Sequence, residues 1–112
     1  MDEKTKELLI KDIAGRVLTN TYVKCIWMSD PKTSFNHLIH VSDLVDIKFG
    51  AYKEYKPYLR PMHTMSDSEK EQYEKLQKPV EKVIFLNKHH FDHSGLIDIN
   101  LAIEAPKNIY KL

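Results

Sequence analysis

The sequence is poor in the residues that mark several large functional classes. It contains one cysteine, Cys25, and three isolated glycines, Gly15, Gly50 and Gly95. Isolated glycines exclude the phosphate-binding loop and the dinucleotide fingerprint, which need several glycines in a short run. There is no serine-centred nucleophile elbow either. These absences disfavour an enzyme, and we expect a non-enzymatic protein without a cofactor.

The chain also lacks long hydrophobic runs and a strong charge of either sign. No apolar stretch approaches the ~18 residues that a membrane span requires, and the first residues have no signal-peptide core. The formal net charge is +1, so no general attraction to nucleic acid or anionic lipid is expected. A lone cysteine fits a reducing compartment. We therefore predict a cytoplasmic protein with no membrane partner.

What is present is the composition of an ordinary folded protein. Hydrophobic residues make up 42% of the chain and charged residues 29%, which argues against disorder. A chain of 112 residues is in the usual size range of one domain. We expect a single domain over residues 1–112.

In the first half, the residue pattern predicts one helix and several strands. Apolar residues recur at helical spacing over residues 3–14, and residues 17–28 are rich in β-branched and aromatic side chains. A break near Thr19 and Asn20 would shorten this strand. Turn-forming residues at 29–33 predict a hairpin with a partner strand over 37–41.

The middle of the chain gives weaker signals. Residues 42–49 have mixed periodicity, and we favour a strand near 45–49 over a helical turn. A further extended piece is predicted near 52–58. Because Pro57 and Pro61 lack backbone donors, this piece is expected to be an edge strand or an extended loop.

The second half is predicted to be mainly helical. Ser66 and Glu69 have capping-box spacing before a mostly exposed helix over residues 67–77, and a further helix is expected over residues 80–91. Residues 96–102 fit both helical and strand periods, and we favour a helix. The predicted fold is α+β: an N-terminal helix, a small antiparallel sheet, and two to three C-terminal helices packed on it.

The segment H90-F91-D92-H93-S94-G95 resembles the metal-binding loop of the metallo-β-lactamase superfamily. The resemblance implies a zinc-dependent hydrolase with ligands at His90, Asp92 and His93. It departs from the pattern because Lys88 occupies the position of the first paired histidine and no histidine follows His93. A metal-dependent hydrolase is the third functional hypothesis.

A second metal hypothesis keeps His89 and His93, which would share one face of a continuous helix. It needs further ligands, for which His37 and His40 are the other candidate pair. The candidate metal ligands of this segment are His89, Asp92 and His93. The structural alternative, which we prefer, is a helix corner. In that alternative, histidines end one helix and Asp92 caps a new helix that starts at His93.

The segment Y52-K53-E54-Y55-K56-P57-Y58-L59-R60 interleaves aromatic and cationic side chains. Exposed aromatics beside cations stack bases and hold phosphates, so this is the candidate binding surface. Its candidate residues are Tyr52, Lys53, Tyr55, Lys56, Tyr58 and Arg60. The structural alternative, which we favour, is an edge strand whose tyrosines cover the core while its lysines reach solvent.

Phrases of the second half resemble a family of small uncharacterised proteins of Bacteroides-type gut bacteria, their prophages and phages. The phrases are K56-P57-Y58-L59-R60-P61-M62, M65-S66-D67-S68-E69-K70-E71, L86 to I97, and L101-A102-I103-E104-A105-P106. The resemblance implies a prophage or mobile-element setting and no activity.

The leading functional hypothesis is an accessory protein that binds an unknown protein partner or its own copy. The Tyr/Lys segment and the helix over residues 67–77 are the surfaces it would use. A nucleic-acid-binding accessory protein is the alternative.

Overall fold

A computed structural model describes residues 1–110, which form an N-terminal helix, a four-stranded mixed sheet and three further α-helices. The α-helices and strands in chain order are α1 (Glu3–Ile13), β1 (Tyr22–Trp27), β2 (Asp30–Leu38), α2 (Val41–Lys48), β3 (Tyr52–Leu59), α3 (Asp67–Lys75), α4 (Pro79–Lys88) and β4 (Ile103–Glu104). Short 3₁₀ helices occupy Ala14–Arg16 and Met62–Thr64. The predicted α+β class is confirmed.

α1 forms where charge and apolar spacing predict it. The Asp2 side chain accepts a hydrogen bond of 2.7 Å from the Thr5 N–H and so caps the helix. Leu9 and Ile13 are buried against the sheet. The 3₁₀ helix Ala14–Arg16 continues directly from α1, and its Gly15 lies against α4, where an added Cβ would come within 2.5 Å of Asn87 Nδ2.

The predicted hairpin is confirmed, with shifted boundaries. β1 and β2 pair antiparallel from Tyr22 opposite Leu38 to Trp27 opposite Asp30. β1 starts only at Tyr22, since the preceding residues form turns and Asn20 has a positive φ of 55°. β2 already begins at Asp30, so the predicted turn at 29–33 is largely strand.

The predicted strand near 45–49 is wrong, because these residues belong to the helix α2 and its C-terminal end. The helix is started by a capping box that uses histidine in the place of serine. His40 Nδ1 accepts from the Ser42 N–H, and the Asp43 carboxylate accepts from the His40 N–H at 3.0 Å. These bonds satisfy two of the free donors at the helix start and fix the helix at this point.

β3 (Tyr52–Leu59) forms where an extended piece is predicted near residues 52–58, but it is not an edge strand. The strand order is β2-β1-β3-β4, so β3 has a neighbour on each side. Pro57 is tolerated because β4 pairs in parallel only with Tyr58 and Leu59, which leaves no strand beside Pro57 on that side.

α3 begins at the predicted capping box, where Ser66 and Glu69 exchange hydrogen bonds. It ends at Lys75 and is largely exposed, as predicted. α4 also forms, but it ends at Lys88, three residues earlier than expected, and the chain leaves it through His90 with a φ of 66°.

The helix predicted over residues 96–102 is wrong, and so is the new helix expected from His93. Residues 96–102 form turns and bends that lead into β4. The Asp92 carboxylate accepts from the N–H groups of Leu96 and Ile97, so it caps a turn rather than a helix. Among residues 1–110, no helix is both long and apolar enough to cross a membrane.

Candidate functional site

The aromatic residues of the Tyr/Lys segment separate onto the two faces of β3. Tyr52 and Tyr55 point into the main core and are buried, and their hydroxyls donate to the Asp43 carboxylate at 3.1 and 2.7 Å. Tyr58 points to the opposite face, where its hydroxyl donates to Asn36 Oδ1. The candidate surface is therefore not continuous, because strand alternation places these tyrosines on opposite faces.

Arg60, the last cation of that segment, is part of a buried ion pair. Its guanidinium donates two hydrogen bonds of 2.8 Å to the Glu69 carboxylate and one of 3.1 Å to the His89 carbonyl. The same group lies over the ring of Phe91, 4.1 Å from its centroid. Arg60 therefore joins β3 to α3 and does not face solvent, unlike Lys53, which is exposed.

The candidate metal ligands engage three different partners. His89 Nδ1 lies 3.4 Å from a Glu69 oxygen, Asp92 caps the turn that follows it, and His93 Nε2 lies 2.7 Å from Asn87 Oδ1. Over residues 1–110, no three histidine, cysteine or acidic side chains come together in a way that could hold a metal ion.

His90, the remaining histidine of this segment, contacts both Thr21 and Tyr110. Its Nδ1 lies 2.9 Å from the Thr21 hydroxyl, and its ring stacks on Tyr110 with centroids 3.7 Å apart. Burial, and secondarily the charge of Arg16, lowers the pKa of His90 to about 4. Burial also lowers the pKa of His89 and of His93. Burial thus favours the neutral form of all three histidines at physiological pH.

Cys25, His37 and Asp43 form the closest approach to a catalytic arrangement. His37 Nε2 lies 3.1 Å from Asp43 Oδ2 and 3.7 Å from Cys25 Sγ. A nucleophile–base pair backed by a carboxylate uses both ring nitrogens, one for each partner. Here one nitrogen faces both partners. Burial raises the pKa of the Cys25 thiol to about 12, and the thiol is enclosed. This cluster is suited to holding α2 on the sheet, not to nucleophilic attack.

α2 presents an apolar stripe to solvent on the side opposite this cluster. Val41, Val45 and Phe49 follow one another at intervals of four residues and are 57%, 55% and 79% exposed, and the nearby Leu18 is 94% exposed. Residues spaced by four lie on one helix face. We call Leu18, Val41, Val45 and Phe49 the α2 face.

A shallow apolar cleft adjoins the α2 face. Its volume is about 570 Å³, and its lining includes Val17, Leu18, Val41 and Leu44. The sequence pattern does not reveal this surface, because it favours a strand near residues 45–49 where the structure has α2. The signal that would have found it is His40 followed by Asp43 at capping-box spacing, before apolar residues spaced by four.

The chain was compared with protein-family models, with curated proteins and with solved structures, and it matches none of them.

Proposed function

We propose that this protein is a non-enzymatic accessory protein that binds an amphipathic helix of a partner protein on its α2 face. The observation that carries the proposal is the exposure of Val41, Val45 and Phe49 in one stripe. Large apolar side chains scattered singly on a surface are common, but a contiguous stripe beside a cleft is typical of an interaction site.

The extent of the α2 face favours a single helix over a second copy of the chain. Full burial of a Val, Leu or Phe side chain stabilises by ~1.5–3 kcal/mol, and an aromatic side chain alone covers about 150–250 Å². The exposed parts of Leu18, Val41, Val45 and Phe49 therefore amount to an apolar area on the order of a few hundred Å². A stable dimer buries about 800 Å² on each subunit, whereas a docked helix needs only a few apolar anchors.

The core cluster below α2 supports the same proposal. Asp43 is buried and its carboxylate accepts hydrogen bonds from Tyr52, Tyr55 and the His40 N–H. These hydrogen bonds hold α2 on the sheet before a partner arrives. A rigid surface loses less conformational entropy on binding than a mobile one.

The setting is part of the proposal. The resemblance of residues 56–112 to small proteins of Bacteroides-type bacteria and their phages supports a prophage or mobile-element origin. Cys25, the only cysteine of the chain, is a free thiol, which supports a location in the reducing cytoplasm.

A displayed library of helical peptides tests this proposal. Peptides are selected on the wild-type protein, and their affinity is then measured for the variant V45S/F49S. We expect amphipathic peptides with apolar residues at i, i+4 and i+7 that bind the variant at least tenfold more weakly, since removing a central anchor costs about 2 kcal/mol.

The matched control is V80S/I84S, which removes two comparably exposed apolar side chains from α4. We expect it to bind the selected peptides with wild-type affinity. Thermal melting should be unchanged in both variants, because the substituted side chains are exposed. Peptides that bind V45S/F49S normally would contradict the proposal. So would a stable wild-type dimer that V45S/F49S converts to a monomer, because a second copy would then occupy the α2 face.

A further inference from the structure

β2 is an edge strand, and its second half carries none of the features that usually protect an edge. Within residues 1–110, its one neighbour in the sheet is β1. Proline, lysine and an irregular register are common protections of an edge strand. In β2 all of them lie near its start, as Pro31, Lys32 and the register shift that leaves residues 31–33 without partners on β1. Residues 34–38 (S-F-N-H-L) pair regularly with β1 and contain no proline, lysine, arginine or acidic residue.

The backbone groups of alternate residues in this second half point away from β1. The Ile39 N–H donates to the Thr21 carbonyl at 2.9 Å, so the backbone groups of Ile39 face β1. Every second residue before Ile39 faces β1 in the same way, because the ladder is antiparallel and regular here. The N–H and C=O groups of Ser34, Asn36 and Leu38 therefore point outward from the sheet edge. All three residues are exposed.

A row of aromatic rings crosses the inner face of the sheet and ends at this edge. Tyr52 of β3 stacks on Trp27 of β1 with ring centroids 4.3 Å apart, and Trp27 stacks on Phe35 of β2 at 5.5 Å. The rings of Phe35 and His37 pack edge to face at 5.5 Å, and both residues are half-buried. Because β2 is the outermost strand of this side, only an added strand with aromatic side chains could continue the row.

From these observations we infer that the β2 edge pairs with β2 of a second copy of the chain, antiparallel and about a two-fold axis at Asn36. In this register Asn36 lies opposite its own copy, and Ser34 lies opposite Leu38 of the other chain. The outward N–H and C=O groups of all three residues then form hydrogen bonds between the two chains. The pairing uses a different element from the α2 face.

The segment is complementary to itself in this register, which favours a second copy over an extended segment of unrelated sequence. Phe35 lies opposite His37 of the other chain, at a position where the two backbones exchange no hydrogen bonds and side chains approach most closely. The aromatic row of each chain therefore continues into the other. Any charge at the axis would face its own like, and the residue at the axis is the neutral Asn36.

Sedimentation velocity of the wild-type protein measures this pairing. A single pair of strands is at the small end of specific interfaces, so we expect a weak dimer that forms between about 10 and 1,000 µM chain. Hydrogen exchange of the Ser34, Asn36 and Leu38 amides should be slower in the concentrated sample, with α3 unchanged. A wild type that stays monomeric at every concentration would overturn the inference and leave the edge to an extended segment of another protein.

Cysteine cross-linking with glutathione disulfide tests the register. Asn36→Cys places two thiols opposite one another with Cα atoms about 5.5 Å apart, which is within the range of a disulfide. The matched control Ser34→Cys lies on the same face of the same strand, but its own copy is four residues away, about 13 Å along the strand. We expect a cross-linked dimer from Asn36→Cys and almost none from Ser34→Cys. Equal yields would mean random collision and would overturn the inference.

A proline variant tests the hydrogen bonds themselves. Asn36→Pro removes the central donor of each copy but keeps the β1 ladder, because edge strands tolerate proline where the N–H faces outward. It should weaken the dimer roughly 5- to 150-fold, the equivalent of ~0.5–1.5 kcal/mol for each of two hydrogen bonds. The matched control Tyr58→Phe breaks the Tyr58–Asn36 side-chain bond, which the proline variant also loses, and should dimerise normally.

If Asn36→Pro fails to fold, as judged by its melting curve, the two cysteine variants decide. V45S/F49S should dimerise as the wild type does, so this inference and the proposed helix binding fail or succeed separately. Loss of the dimer in V45S/F49S would place the contact on the α2 face and would overturn the inference.

Discussion

The Arg60 guanidinium donates two parallel hydrogen bonds of 2.8 Å to the two oxygens of the buried Glu69 carboxylate. These bonds connect the end of β3 to the first turn of α3. Glu69 also accepts from the Ser66 N–H at 3.0 Å, so the carboxylate both caps α3 and anchors it. The hydrogen bonds from Arg60 lower the pKa of Glu69 to about 2.

Removing one partner of this pair should destabilise the fold strongly. Arg60→Leu leaves the Glu69 charge buried without its partner, and we expect a loss of about 3–5 kcal/mol in the free energy of unfolding. Urea denaturation measures this loss. The matched control Glu71→Gln removes an acid of the same helix whose pairing with Lys75 is exposed, and should cost no more than ~0.5 kcal/mol. Similar losses in the two variants would contradict the assigned role of Arg60.

Acid should destabilise the protein in two steps. The folded-state pKa of His90 is lowered to about 4 from an ordinary 6.5, so its contribution is present above pH 6.5 and is lost as the pH falls toward 4. His89 and His93 shift in the same direction. Glu69 is lowered from 4.5, so its contribution is lost as the pH falls from 4.5 toward 2.

Urea titrations from pH 8 to 3 measure these steps. His90→Asn is the informative variant, because asparagine tolerates the positive φ at this position but does not titrate. It should be less stable than wild type at pH 8 and should show a shallower decline between pH 6.5 and 4. An unchanged slope would contradict the assignment of that step to His90.

Asp43→Asn should loosen α2 from the sheet. The Asp43 carboxylate faces four groups: His37 Nε2, the His40 N–H and the hydroxyls of Tyr52 and Tyr55. An amide keeps one acceptor oxygen and turns two donors toward groups that also donate. We expect a loss of about 2–4 kcal/mol, with faster hydrogen exchange across α2. Unchanged exchange in α2 would show that other contacts hold the helix.

Much of the fold could be predicted from local signals. α1 and α3 begin at Asp2 and Ser66, whose side chains make the capping bonds that their residue types favour. The β1–β2 hairpin follows from β-branched and aromatic runs around a turn. These elements are specified by neighbouring residues, and that is the information a single sequence displays most directly.

The errors arose where distant contacts decide the structure. Residues 96–102 suit a helix by spacing, but Leu96 is buried beside Leu59, and the chain then pairs with β3. α2 was missed because histidine is an uncommon cap. The Tyr/Lys segment could not be resolved into two faces without knowing that α2 supplies the buried Asp43 for Tyr52 and Tyr55.

The hydroxyl of Tyr110 accepts a hydrogen bond from the Tyr22 N–H and donates one to the Tyr58 carbonyl. Tyr110 lies 88 residues after Tyr22 and 52 residues after Tyr58 in the sequence. During synthesis, at about 5–20 residues per second, the ribosome needs roughly 4–18 s to add the residues between Tyr22 and Tyr110. Throughout that interval the hydrogen bonds that join Tyr110 to β1 and β3 cannot form. The two hydrogen bonds of Tyr110 therefore form only after the paired strands β1 and β3 have already been synthesised.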